Sequence, residues 1–160
     1  MTAHTVPAGV PAMPLERYLR RAWPLVPPRV LRDALKKKDV RINGARSGSG
    51  DTVRGGDALA VYLDDKWLQP EPEILFSDDR LIVAVKPQGL PVDVDRDGVG
   101  ADTLLTRLTR RWPGARLCHR LDAATGGIVL AAADDVAAFA RREGLTGHAR
   151  SVTIRKEKAR

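Results

Sequence analysis

Leu117-Cys118-His119-Arg120-Leu121-Asp122-Ala123-Ala124-Thr125-Gly126-Gly127-Ile128-Val129-Leu130 is the stretch on which the fold turns. Two short apolar runs, Leu117–Leu121 and Ile128–Ala132, have strand length and are bounded by turn residues. Asp122 is therefore expected where a strand ends and a loop begins, a place where a rigid scaffold presents reactive groups. Gly126 and Gly127 permit a sharp bend or close approach of a ligand to the backbone. From spacing alone the stretch is equally an ordinary hairpin with a charged turn, since Asp is common in turns. A kinase catalytic loop is excluded because no Gly-rich phosphate loop lies upstream. A zinc site is excluded because Cys118 and His119 are adjacent and have no second ligand pair.

The 160-residue length suits one medium domain or two small ones, and the 43% hydrophobic content suits a globular protein. A single cysteine rules out a disulfide framework and fits a reducing compartment, so a cytoplasmic location is expected. No signal-peptide pattern or membrane-length apolar run occurs. The net charge of +7 is concentrated. Arg17, Arg20, Arg21, Arg29, Arg32, Lys36, Lys37, Lys38, Arg41 and Arg46 fall between Pro14 and Arg46, against only Glu16, Asp33 and Asp39. The rest of the chain is charge-balanced, so the excess in one segment points to a polyanion as partner.

Residues 1–13 lack periodicity and read as a disordered lead-in. Pro14 then opens a helix with Leu15, Leu19, Ala22 and Trp23 on one face. A second helix from about Pro28 to Lys38 carries Val30, Leu31, Ala34 and Leu35 as apolar positions, and its three terminal lysines suit the helix dipole. Val40-Arg41-Ile42 alternates like a strand and closes on an Asn43-Gly44 turn, and a further strand covers Ala58–Leu63. Two basic helices followed by a small hairpin sheet with Val-Arg-Ile-Asn-Gly and Gly-Asp resemble an S4 RNA-binding domain over residues 14–65. That resemblance implies binding of structured RNA through shape and phosphates. Arg17, Arg29, Arg32, Lys36, Lys37 and Arg41 are the contacts it suggests.

Residues 66–73, with Pro70 and Pro72, read as a stiff linker. Ile74-Leu75-Phe76 and Leu81–Val85 read as two strands around a Ser77-Asp78-Asp79-Arg80 turn, followed by Lys86-Pro87-Gln88-Gly89-Leu90-Pro91-Val92. Asp93–Gly98 matches the first positions of a calcium loop, but Leu104 stands where a bidentate Glu is needed, so the segment reads as a polar surface loop. Asp102 or Thr103 can cap a helix through Arg111 with Leu104, Leu108 and Trp112 on one face, leaving Arg107, Arg110 and Arg111 for solvent or RNA. Asp134 can cap a last helix through Val136, Phe139 and Ala140 to about Gly144.

His119-Arg120-Leu121-Asp122 followed by Thr125 and a glycine resembles the signature of the RluA-type RNA pseudouridine synthases. Lys86-Pro87-Gln88-Gly89-Leu90 behind an acidic hairpin is similar to the segment that opens that family's catalytic domain, and an S4 domain is a frequent accessory. The resemblance implies an α+β fold: a small S4-type α/β domain (14–65), then the N-terminal half of a mixed, mainly antiparallel synthase sheet (74–160). It implies Asp122 as catalytic residue, with His119, Arg120, Thr125 and Lys86 at the substrate. Arg120 is placed either to favour the Asp122 charge or to enter the RNA as the base leaves. No cofactor or metal is implied, and the expected partner is structured, ribosomal RNA bound by a monomer. Thr125-Gly126-Gly127 departs from the family's usual Thr-Ser-Gly. The family's later Tyr-bearing and Arg-containing motifs have no counterpart, since no Tyr follows Tyr62 and residues 145–160 match no family segment. The chain is accordingly expected to be truncated within the catalytic domain. The competing expectation is a non-catalytic S4-type RNA-binding protein, a remnant of such an enzyme, or a basic ribosome-associated protein that docks through the same fold.

Overall fold

A computed structural model of the chain describes residues 1–68 and 70–133. The N-terminal part runs β1 (Thr2–Thr5), β2 (Met13–Pro14), α1 (Leu15–Ala22), α2 (Pro28–Lys37), β3 (Val40–Ile42), β4 (Ala45–Ser47), β5 (Thr52–Val53), β6 (Ala58–Val61) and α3 (Asp65–Leu68). The remainder runs β7 (Glu73–Ser77), β8 (Leu81–Lys86), α4 (Leu104–Arg111), β9 (Arg116–Leu117) and β10 (Gly127–Ala132). The architecture is thus mixed: antiparallel sheets with a few short helices. One four-stranded sheet has the order β1-β6-β3-β4, the other β7-β8-β10-β9, and β2 pairs with β5.

Local chemistry explains most of the N-terminal elements. Leu15, Tyr18, Leu19 and Ala22 of α1 are buried, the i, i+3, i+4, i+7 stripe of an amphipathic helix. Pro28 stands in the first turn of α2, where its missing N–H is not needed, and Lys38 ends the helix in the left-handed region at φ 57°. Asn43 (φ 50°) and Gly44 (φ 84°) make the tight turn that fixes the β3–β4 register, pairing Val40 with Ser47 and Arg41 with Arg46. Asn43 also joins the turn to the next strand, donating to Asp57 and accepting from the Ala58 N–H.

Several expectations need correction. Residues 1–13 are not a disordered lead-in: β1 adds to the sheet edge, with Thr2 opposite Val61 and Thr5 opposite Ala58, and Val6, Val10 and Met13 are buried. The partner strand lies more than fifty residues away, so no local periodicity announces the pairing. His4 reaches inward to the Tyr18 hydroxyl at 2.6 Å, and burial holds its imidazole below the usual histidine pKa. Part of the expected linker is the short helix α3, with Leu68 buried in the N-terminal core. The strand expected over Leu117–Leu121 is only Arg116–Leu117, extended by the Cys118 N–H bonding to the Leu130 carbonyl. The helix expected after Asp134 lies outside the described residues.

The second sheet packs one face on α4. Ile82, Ala84, Val129 and Ala131 meet Leu104 and Leu108, with Leu90 and Ala115 closing the cluster. Thr103, not Asp102, caps α4: its hydroxyl accepts from the Thr106 N–H while Thr106 reaches back to the Thr103 N–H. Asp102 instead receives a bidentate pair from Arg107, at 2.7 and 2.8 Å, with both side chains buried. Arg107 is therefore structural and unavailable to RNA. The two parts are fastened together: the Asp102 N–H bonds the Ala22 carbonyl, and Arg21 bonds Asp95 and Asp97, both at 2.7 Å. The Asp93–Gly98 loop is thus a strap against α1, and no group of side chains among the described residues could hold a metal ion.

Candidate active site and nucleic-acid interface

Antiparallel pairing of β8 with β10 brings two motifs together that the sequence keeps well apart. Lys86 at the end of β8 lies opposite Gly127 at the start of β10. The loop after β8 (87–90) and the loop before β10 (118–126) consequently emerge at the same end of the sheet.

Lys86 alternates in phase with Ile82 and Ala84, so its side chain points to the buried face and is fully enclosed. Its ammonium donates to the carbonyls of Leu90 (2.6 Å), Ala123 (3.1 Å) and Pro87 (3.3 Å). The Gly89 N–H donates to the same Ala123 carbonyl at 2.8 Å, a closeness served by Gly89 at φ 88°. Lys86 was expected at the substrate; its donors are instead occupied by backbone. It fixes the residue immediately after Asp122. Burial pulls the Lys86 pKa below the usual lysine value, and the Asp122 carboxylate opposes that fall. The buried cation and the exposed carboxylate are thus electrostatically coupled.

Asp122 is exposed, and the Thr125 N–H closes a turn onto its carbonyl at 3.0 Å. Arg120 and Thr125 are also exposed. His119 is partly buried, and its Nε2 accepts from the Leu130 N–H at 3.1 Å, which leaves the ring proton on Nδ1. His119 therefore ties the loop to β10. At Gly126, where the resemblance favours serine, a Cβ would stand 3.3 Å from the Gln88 nitrogen, so the loops touch almost backbone to backbone. The site is an exposed Asp, Arg and Thr on a loop pinned at His119 and Ala123.

The basic residues of the N-terminal part sort by partner. Arg20 pairs with Glu16, Arg21 with Asp95 and Asp97, and Arg29 weakly with Asp33 at 3.9 Å. Arg17, Arg32, Lys36, Lys37 and Arg41 have no ion pair among the described residues. Arg32 and Lys36 stand one turn apart on the exposed face of α2, a like-charge spacing that disfavours the isolated helix. Lys37 and Arg41 turn toward an open cleft that also includes Lys38, Asp39, Arg46 and Tyr62. Lys38, Arg46 and Tyr62 were not among the expected contacts. The signal for Arg46 was present, because a two-residue Asn-Gly turn places it opposite Arg41.

No protein-family profile matches the chain. Ribosomal large subunit pseudouridine synthase C of Rickettsia conorii is 29% identical over 140 residues, covering 74% of this chain and 46% of the relative. The synthase of the same name from Rickettsia felis is 29% identical over 140 residues, covering 45% of its length. Dual-specificity RNA pseudouridine synthase RluA of Escherichia coli is 39% identical over 64 residues, which is 40% of this chain and 29% of that protein. Among solved structures, human RNA pseudouridylate synthase domain containing 1 aligns with a TM-score of 0.36 and 27% identity, over 47% of this chain and 27% of that one. The chain spans about half the length of the curated synthase C relatives it matches. Over the segments they share, this chain is similar in sequence to ribosomal large subunit pseudouridine synthase C and to the dual-specificity RNA pseudouridine synthase RluA.

Proposed function

We propose that this chain isomerises uridine to pseudouridine in structured ribosomal RNA, with Asp122 as the catalytic residue and residues 14–65 acting as an S4-like RNA grip. The observation that carries this reading is the pinned loop. Asp122 is open to solvent while Lys86 and Gly89 both hold the adjacent Ala123 carbonyl, so a reactive carboxylate is presented on a fixed backbone. The names of the sequence relatives supply the reaction and the RNA class.

In this reaction the N1–C1′ bond of uridine breaks, a C5–C1′ bond forms, the C5 hydrogen leaves to solvent as a proton, and the freed N1 takes up a proton in its place. The target base must leave its stack to expose C1′, at a cost of a few kcal/mol. The carboxylate has two routes: attack on the sugar carbon, or removal of a proton from the sugar. Both require Asp122 ionised. Arg120 and Thr125, exposed on the same loop, are the side chains offered to the nucleotide. The unpaired bases Arg17, Arg32, Lys36, Lys37 and Arg41, with Arg29, supply attraction to the phosphate backbone.

Tritium release from ribosomal RNA transcribed with 5-tritiated uridine tests the reading, because the C5 hydrogen is the atom lost. Release by the chain that disappears in Asp122→Ala supports it. RNA binding without release would leave an RNA-binding protein and refute the assignment of Asp122.

A further inference from the structure

The cleft at the end of α2 carries more charge than folding calls for. Lys37, Lys38, Arg41 and Arg46 line it with one carboxylate, Asp39, and the ring of Tyr62. Two features there work against stability. Arg41 and Arg46 are directly opposed across β3 and β4, and like charges in that relation destabilise a strand pair. Lys38 occupies the left-handed position that ends α2, where glycine is the residue of least strain. Tyr62 is 40% exposed, and the Arg41 guanidinium lies 5.4 Å from its ring centre. The Tyr62 N–H bonds the Asp39 carbonyl at 2.8 Å, so the backbone under the ring is fixed. None of the four cations has an ion-pair partner among the described residues.

We propose that this cleft holds one unstacked nucleotide of RNA, its phosphate between Arg41 and Arg46 and its base on the Tyr62 ring. The inference rests on the RNA-binding reading above and narrows it to a conformation: a loop or bulge, not a continuous duplex. A phosphate relieves the repulsion between the two arginines, and Lys37 and Lys38 add charge on its far side. Tyr62 offers a π-face beside the phosphate site, the combination that grips single strands without reading their sequence. A paired and stacked base cannot reach that face. The cleft volume of ≈ 240 Å³ is smaller than the ~300–1,000 Å³ of small-molecule sites, so it suits one unit of a polymer better than a free metabolite.

The test is fluorescence-anisotropy binding of two RNA hairpins with the same stem, one closed by a seven-uridine loop and one by a tight four-base loop. The full chain should prefer the uridine loop. Tyr62→Ala should weaken that complex about 5- to 100-fold, the range of one lost base–aromatic stack, and leave the tight hairpin unchanged. Tyr62→Phe should bind as the original does. Arg46→Ala should lower the salt slope on the uridine loop by roughly one phosphate contact. Equal weakening of both hairpins by Tyr62→Ala, or no weakening of either, overturns the nucleotide clamp while leaving RNA binding intact. If the unaltered chain binds neither hairpin, the RNA-grip reading falls and the clamp with it.

Discussion

Replacing Lys86 with methionine probes the link between the buried face of the sheet and the Asp122 loop. The substitution keeps an unbranched apolar stem, one atom shorter, and removes the charge and three donors. The Ala123 carbonyl still accepts from Gly89, and the Pro87 carbonyl still lies 3.4 Å from the Leu90 N–H. The Leu90 carbonyl, on a residue with no exposed surface, loses its 2.6 Å donor and gains no replacement. One buried acceptor left unpaired costs about 1–3 kcal/mol, which for a chain of this size lowers the melting midpoint by roughly 2–12 °C. The pH dependence adds a second signature. Burial depresses the Lys86 pKa in the folded state, so between that value and 10.5 the unfolded chain binds more protons than the folded one. Stability contributed by this group therefore rises as pH climbs through that window, and the variant lacks the rise. The gap between original and K86M should widen as pH rises toward 10.5, measured by thermal melts followed by circular dichroism. Tritium release should fall more than RNA binding, because the carbonyl after Asp122 has lost one of its two anchors. A midpoint unchanged within 1 °C, a gap that narrows with pH, or full release would each refute a positioning role for Lys86.

Two further substitutions test the frame around the site. Arg107→Ala strands the fully buried Asp102 carboxylate and should cost about 3–5 kcal/mol, seen as a lower urea midpoint. Replacing the pair together, Asp102→Leu with Arg107→Met, should restore most of that loss. Gly55→Ala should displace residues 6–10, because a Cβ there would lie 2.3 Å from the Ala8 carbonyl oxygen. Faster amide exchange at Val6 and Val10 is the expected result. Unchanged exchange would show that the N-terminal segment is not seated as described.

Much of the fold was legible because its signals are local. The Asn43-Gly44 turn, the Thr103 cap and the amphipathic stripes of α1 and α2 each follow from neighbouring residues. The pinned loop was legible as a motif but not as a geometry. Asp122 was expected at a strand end, whereas β9 stops at Leu117 and leaves it on a longer loop. The burial of Lys86 was recoverable from its phase with Ile82 and Ala84, since alternation on a strand applies to charged residues as well. Arg107 was misplaced because it flanks the Leu104–Leu108 stripe, and only the buried Asp102 one turn earlier shows which way it points. The strand at Thr2–Thr5 was the least legible element, since its pairing depends on Ala58–Val61 and on nothing nearby.

The most direct measurement is nucleoside analysis of ribosomal RNA after incubation with the chain and with Asp122→Asn, a substitution that keeps the size of the side chain. Pseudouridine should appear with the original chain and be absent with the variant, while the variant binds the RNA with unchanged affinity. Pseudouridine formed equally by both, or by neither while both bind the RNA, would contradict the assignment of Asp122 as the catalytic residue.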